Sequence, residues 1–268
     1  MKNKFFFFTI IALFTIVTIN AALGQESRTV EKSFSLSKDG SVFIDNYKGS
    51  IRIETWNRDK VELEVKIEAD DNDKYAEEKV KYTEIQIKSS KSSLRIKTDY
   101  DEMRDKLSFF RGMFSKNIGN MPLVHYSIKM PATADLRIKD YKSESEIRDV
   151  HAFVEFETYK GSLDMKGLEG GINLETYKGD IKIRFDKFTE RSTFETYKGN
   201  IEITLPDRAG FDLNAKLGRR ADFNTDFELQ TSIKGRRKKD SSFQAEFNGG
   251  GTELRIETER GEIRLRRD

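Results

Sequence analysis

Three Tyr-Lys pairs, Tyr159-Lys160, Tyr177-Lys178 and Tyr197-Lys198, recur 18 and 20 residues apart, each joining a flat aromatic ring to a cation. Brought into line by a fold, such rings could stack on sugar rings, and the cations could hold an anionic polymer. Glu157, Glu175 and Glu195 stand two residues before each tyrosine, so the same fold would set an acidic column beside the basic one. Adjacent lysines about 4.8 Å apart repel by about 0.9 kcal/mol per pair in bulk water, and the glutamate column is expected to offset that repulsion. These six Tyr and Lys residues are the candidate ligand-binding positions. The plainer expectation for them is a charge ladder in which Tyr covers a turn while Lys and Glu are solvated.

A second group is Phe109, Phe110, Met113 and Phe114 with Arg104, Lys106, Arg111 and Lys116. As a helix it would show a short apolar face rimmed by positive charge, suited to a partner or to peripheral membrane contact. The plainer expectation is that it caps the open end of a strand stack and shields its edges. Other chemistry is thinly represented. The chain has no Cys, which excludes disulfides, thiolate metal sites and thiol nucleophiles. The two histidines, His125 and His151, lie far apart without a metal-ligand spacing. No Gly-rich phosphate loop or serine nucleophile elbow occurs. Asp70, Asp71, Asp73, Glu77 and Glu78 lack the order of a calcium loop and read as a solvated acidic face. No catalytic residue, metal or cofactor is therefore assigned. Asp164, Asp180, Glu202 and Lys182 are the raw material for the enzyme alternative, a polysaccharide lyase or hydrolase. As outward strand positions they need no catalytic explanation. With 48 Lys+Arg against 46 Asp+Glu, the balance argues against nucleic acid as a partner.

The elements that must position these residues announce themselves by period. Leu163/Met165, Ile172/Leu174, Ile181/Ile183, Ile201/Ile203 and Ile263/Leu265 alternate with polar residues, the pattern of strands that bury one face. Phe156-Glu157-Thr158, Leu174-Glu175-Thr176 and Phe194-Glu195-Thr196 lead into Tyr-Lys-Gly, and a short alternating run leads out. Near copies occur at Tyr47-Lys48-Gly49 and Tyr141-Lys142-Ser143, and a degenerate one, Glu257 to Leu265, closes the chain. One unit has too little apolar surface to fold alone, so the units must stack. The expected class is all-β: a β-solenoid, or β-helix-like stack of short strands, with one coil per 18–20 residues. An antiparallel sandwich would show the same alternation, but the return of the same residue types at the same phase favours stacked coils.

Residues 1–24 read as a secretory signal peptide: Lys2 and Lys4, an apolar run from Phe5 to Ile19, then the small-residue stretch ending at Gly24. Residues 25–268 are then a single strand-repeat domain with an insertion at about 70–120, partly helical or irregular. Within it Glu84-Ile85-Gln86-Ile87 and Leu94-Arg95-Ile96 are strand-like. A second break, Gly218 to Gly251, carries Lys234-Gly235-Arg236-Arg237-Lys238-Lys239 and reads as an exposed loop before the closing coil.

The run Asn46-Tyr47-Lys48-Gly49-Ser50-Ile51-Arg52-Ile53, then Tyr126-Ser127-Ile128-Lys129-Met130-Pro131 leading into repeated Gly-x-Ile-x-Ile units, resembles the bacterial putative-adhesin family of β-strand-repeat proteins, classed as a domain of unknown function. The likeness covers roughly Val30 to Arg267 outside the two breaks. It implies an exported, right-handed β-solenoid without a catalytic signature. The expectation is a noncatalytic protein of the periplasm, outer membrane or cell surface that presents a repetitive face to a glycan, an envelope protein or another copy of itself. A periplasmic signalling or scaffold protein acting through its Phe-rich insertion is the other noncatalytic alternative.

Overall fold

The alternation read from the sequence becomes burial in the computed structural model, which describes residues 16–18, 26–70, 75–111, 120–228 and 241–268. Leu163, Met165, Ile172, Leu174, Ile181, Ile183, Ile201, Ile203, Ile263 and Leu265 are each no more than 2% exposed, and the polar residues between them face outward. Burying each such side chain contributes about 1.5–3 kcal/mol. The described residues are all-β, with two short helices.

The first part of the chain holds β1 (Ile16–Thr18), β2 (Ser27–Ser35), β3 (Ser41–Trp56), β4 (Lys60–Glu68), α1 (Ala76–Tyr82), β5 (Glu84–Ser89), β6 (Ser93–Asp99), α2 (Asp101–Arg111) and β7 (Leu123–Pro131). The repeats follow as β8 (Asp135–Arg148), β9 (Val154–Thr158), β10 (Ser162–Leu168), β11 (Ile172–Lys178), β12 (Ile181–Phe185), β13 (Ser192–Lys198) and β14 (Ile201–Leu205). The chain ends with β15 (Phe211–Thr225), β16 (Ser241–Phe247) and β17 (Thr252–Arg267).

Successive repeats pair in parallel and in phase. Glu157 lies opposite Glu175, Glu175 opposite Glu195 and Glu195 opposite Glu257. Beyond the corner, Leu163, Ile181, Ile201 and Ile263 form a matching inward row. The antiparallel sandwich is thereby excluded for the repeats; antiparallel pairs join β1 to β2, β2 to β4, β4 to β7, β5 to β6 and β15 to β16.

The structure departs from a simple open stack in two ways. β8 and β17 are long enough to continue through the corner, so β8–β9–β11–β13–β17–β14–β12–β10 returns to β8 as a closed ring of eight parallel strands. A closed ring leaves no edge among its members. The last strand also does not close the end: β17 lies between the β13/β14 coil and β15.

The insertion is more regular than expected. The strand-like runs are β5 and β6, a hairpin that extends the sheet beside β3. Met103 and Leu107 on α2 are fully buried in the common core, so the first half of this helix packs as a cover. The helix runs through Phe109 and Phe110, while Met113 and Phe114 lie outside the described residues. The second break is a loop only in part. β15 continues to Thr225 and β16 resumes at Ser241, so both ends are strand, and the basic run 234–239 lies outside the described residues. So does the proposed signal peptide, apart from β1, which pairs with Thr29, Val30 and Glu31.

A buried polar column follows the corner through the ring and on into β3 and β6. Thr98, Asn46, Asp140, Thr158, Thr176, Thr196 and Thr258 occupy equivalent positions on adjacent strands. The Thr158 hydroxyl donates to Asp140 Oδ2 at 2.9 Å and accepts the Gly161 N–H at 2.8 Å. Thr176 and Thr196 face another threonine instead of a carboxylate, and their hydroxyls have no hydrogen-bond partner among the described residues. Thr176→Val, which exchanges that hydroxyl for a methyl of similar shape, is accordingly expected to be neutral or to stabilise by about 1 kcal/mol. The midpoint of urea unfolding checks it; a loss of similar size would show a hidden hydrogen bond.

Candidate functional site

Each repeat reaches the corner as an extended strand with Glu out, Thr in and Tyr out, after which glycine turns the chain. Period two therefore places the Glu and Tyr rows on one face, about two strand residues apart. Five tyrosines form a continuous stack. Tyr47 and Tyr141 rings are 4.7 Å apart, Tyr141 and Tyr159 5.1 Å, Tyr159 and Tyr177 4.7 Å, and Tyr177 and Tyr197 5.0 Å, with interplanar angles of 4° to 17°. Stacked pairs of this kind contribute about 0.5–1.5 kcal/mol each beyond their buried area. The ladder ends are also occupied. Tyr100 meets Tyr47 edge-on at 6.0 Å, and the Arg260 guanidinium lies 5.3 Å from the Tyr197 ring.

This arrangement corrects the sugar-stacking expectation. The ring faces are spent on one another, so Tyr159, Tyr177 and Tyr197 offer a partner their edges and hydroxyls, not their planes. All three keep 39–44% of their surface exposed. The sequence-predicted positions are brought together, and the ladder extends further than those three. Tyr47 and Tyr141 belong to it, and both stand in the near copies of Tyr-Lys-Gly. Tyr100 carries no such repeat signature, whereas Arg260 stands at the lysine position of the degenerate closing copy.

The lysines form a second row on the other flank. Lys48 is in register with Lys142, and Lys178 with Lys198, while the Lys160 ammonium sits 5.1 Å from the Tyr159 ring and 5.9 Å from that of Tyr141. Lys48 is paired with Asp70.

The expected neutralisation of the Lys row by the Glu row does not occur. Lys139 Nζ binds Glu157 Oε1 at 2.9 Å, an interaction that holds Lys139 above its ordinary pKa. Glu257 is paired with Lys216 and, at 3.5 Å, with Arg255; the Lys216 hydrogen bond is the main reason its carboxyl lies below the usual range. Among the described residues, Glu175, Glu195, Lys142, Lys160, Lys178 and Lys198 make no ion pair. The reason is geometric: the corner separates Lys from Glu on the same coil, and Glu157 and Glu257 reach along their row instead.

Tyrosines and glutamates together line a groove of about 700 Å³, closed at one end by Asp45, Lys97, Tyr100 and Arg104. Burial raises the Asp45 carboxyl pKa, an effect that Lys97 and Lys139 oppose.

The residues named for the enzyme alternative sit on or next to the strands beyond the corner. Asp164, Lys182, Glu202 and Arg264 occupy one row on adjacent strands. Asp164 is bound by Arg148 at 2.9 Å, and Glu202 lies 3.9 Å from Arg264. Asp180 instead accepts the Asn200 side-chain amide at 3.1 Å. Opposite charges alternate along that row as in an ordinary cross-strand ladder. His125 is more engaged than its sequence context suggested. Ser50 Oγ is 2.8 Å from its Nδ1, and Glu68 Oε1 is 3.2 Å from its Nε2, off the hydrogen-bond axis. Ser50 lies mid-strand with β7 on one side and β8 on the other, so the surrounding amides are committed to the sheet rather than free to stabilise an oxyanion. His151 lies 3.9 Å from Glu169.

Comparison with solved structures gives distant likenesses. A "putative cell adhesion protein" from Clostridium sporogenes is 12% identical, with a TM-score of 0.48 over 91% of this chain and 100% of that one. A "putative adhesin" from Bacteroides fragilis is 12% identical, with a TM-score of 0.40 over 90% and 97%. A "putative lipid binding protein" from Parabacteroides distasonis is 9% identical, with a TM-score of 0.36 over 90% and 96%. No curated protein matches the chain. The family model described as Toastrack DUF4097 matches residues 28–266, nearly the whole described strand assembly, and the chain belongs to that family.

Proposed function

We propose that the protein is a noncatalytic binding module of the bacterial envelope, exported by its N-terminal segment, that presents the Tyr-Lys corner of a solenoid-like stack to a partner. The observation that carries this reading is the five-ring ladder with Lys142, Lys160, Lys178 and Lys198 left without ion pairs along its flank. The corner keeps those ammonium groups from the carboxylates of their own coils, so they stay available to a partner. The coil-on-coil phase of Glu157, Glu175 and Glu195 supports the solenoid description. Because the ring planes are closed, recognition runs through tyrosine hydroxyls, ring edges and ammonium groups.

The test is binding of the folded protein to an array of glycans and cell-envelope polymers, beside a variant with Tyr159, Lys160, Tyr177, Lys178, Tyr197 and Lys198 all changed to Ser. Selective binding by the wild type that falls at least tenfold in a folded variant supports the reading. Equal binding by both would remove the corner from the function.

A further inference from the structure

We propose that the Tyr-Lys corner is self-complementary and pairs two copies of this chain about a twofold axis parallel to the tyrosine ladder; this deepens the binding reading above and rests on it. The argument begins with charge. The stripe has three parallel rows: glutamates on one flank, tyrosines in the centre and lysines on the other. At both ends of the acidic row the carboxylates are satisfied within the chain, Glu157 by Lys139 and Glu257 by Lys216. The basic row begins the same way, with Lys48 bound to Asp70. Lys142 and Lys160 make no ion pair among the described residues either, but only the two central coils leave both a glutamate and a lysine unpaired. Glu175 and Lys178 on one, and Glu195 and Lys198 on the next, make no ion pair among the described residues.

A polyanion would meet the lysines but be repelled by the glutamates, and a polycation the reverse. A partner that satisfies both must carry two rows of opposite sign, in mirrored order, at the coil repeat of about 4.8 Å. The chain itself is such a surface. A twofold axis along the ladder exchanges left and right without reversing the order of coils, so on the coils of Tyr159, Tyr177 and Tyr197 the glutamate of one copy faces the lysine of the other; one coil earlier Lys139 takes the glutamate's place. A twofold axis across the ladder would bring like rows together. The first arrangement is isologous, the usual basis of homodimers, and sets the exposed tyrosine edges of the two copies against one another at its centre. The stripe is narrow, so the contact belongs to the small, transient class and is expected to weaken with salt, since its charges lie at the surface.

Charge exchange tests it. The wild-type chain is followed by sedimentation velocity from about 5 to 500 µM in low salt, beside Glu175→Lys/Glu195→Lys and Lys178→Glu/Lys198→Glu. Each variant alone carries two rows of one sign and is expected to associate at least tenfold more weakly than wild type. An equimolar mixture is expected to recover a heterodimer at wild-type affinity or better. Thermal unfolding of each variant verifies folding, and Glu175→Gln/Glu195→Gln replaces any that fails, with weaker association again expected. A wild type that stays monomeric throughout overturns the proposal, and so does a dimer indifferent to both exchanges. If that monomer still binds an envelope polymer through the corner, self-pairing falls while the binding reading stands.

Discussion

Replacing Gly199 by alanine is expected to destabilise the protein by about 4 kcal/mol, with a corresponding fall in the urea midpoint at unchanged slope. Gly199 turns the third Tyr-Lys corner at φ +143°, and a Cβ there would stand 1.9 Å from the Gly179 carbonyl oxygen of the coil below. Two costs combine: backbone strain of about 1–3 kcal/mol for a side chain in that region, and about 1–3 kcal/mol to force neighbouring strands apart in a close-packed assembly. The obstacle is backbone held by the parallel ladder, so it cannot swing aside as a side chain would. Gly249 supplies the control. Its φ is +86°, but a Cβ would meet nothing within 4 Å, so Gly249→Ala carries the strain alone, about 1–3 kcal/mol. Equal losses at the two sites would mean that coil spacing is soft and that the corner glycines serve conformation, not approach.

Those glycines also mark how much could be read from the chain. The phase of the repeats was legible because a stack places equivalent residues on adjacent strands: Glu157, Glu175, Glu195 and their tyrosines align as their 18- and 20-residue spacings require. The position of β17 was not. Glu195 meets Glu257 across 62 residues, and no local period says that the last copy enters the stack before β15. The stretch from Gly218 onward, which holds the end of β15 and all of β16, reads as loop because Arg219, Arg220 and Asn224 dilute the alternation; Ala221 and Phe223 face inward but are only half-buried. In the site, the residue types were legible and their contacts were not. Ring-on-ring stacking follows from the coil repeat, yet its consequence, that the planes are lost to ligands, appears only with all five tyrosines in line. The expected Glu-Lys compensation failed because sequence proximity ignores the turn between them.

Asp140 carries the other large effect. It stands in the threonine column, buried to 6% exposure, where it accepts the Ser143 N–H at 2.8 Å, the Ser143 hydroxyl and the Thr158 hydroxyl at 2.9 Å. Ser143 Oγ in turn accepts from Asn46 Nδ2 at 3.0 Å, and Asn46 Oδ1 from Thr98 Oγ1 at 2.9 Å. Asp140→Ala leaves two hydroxyls and an amide without their acceptor and is expected to cost about 3 kcal/mol. Asp140→Asn keeps the volume but turns an N–H₂ toward groups that are already donors, at about 2 kcal/mol. The two carboxyl states differ in cost. Burial pushes the Asp140 pKa above its ordinary value, and the hydrogen bonds from Ser143 and Thr158 offset this only in part. The folded state therefore takes up the proton more readily than the unfolded chain. The stability that wild type gains from protonation is complete below the unfolded-state pKa of 3.8 and is lost as pH rises through the higher folded-state value. The gap between wild type and Asp140→Asn should be wider at pH 4 than at pH 7, and urea unfolding at the two values measures it directly. A gap that narrows on acidification would mean that the hydrogen bonds outweigh burial and hold Asp140 as a carboxylate at the heart of the corner.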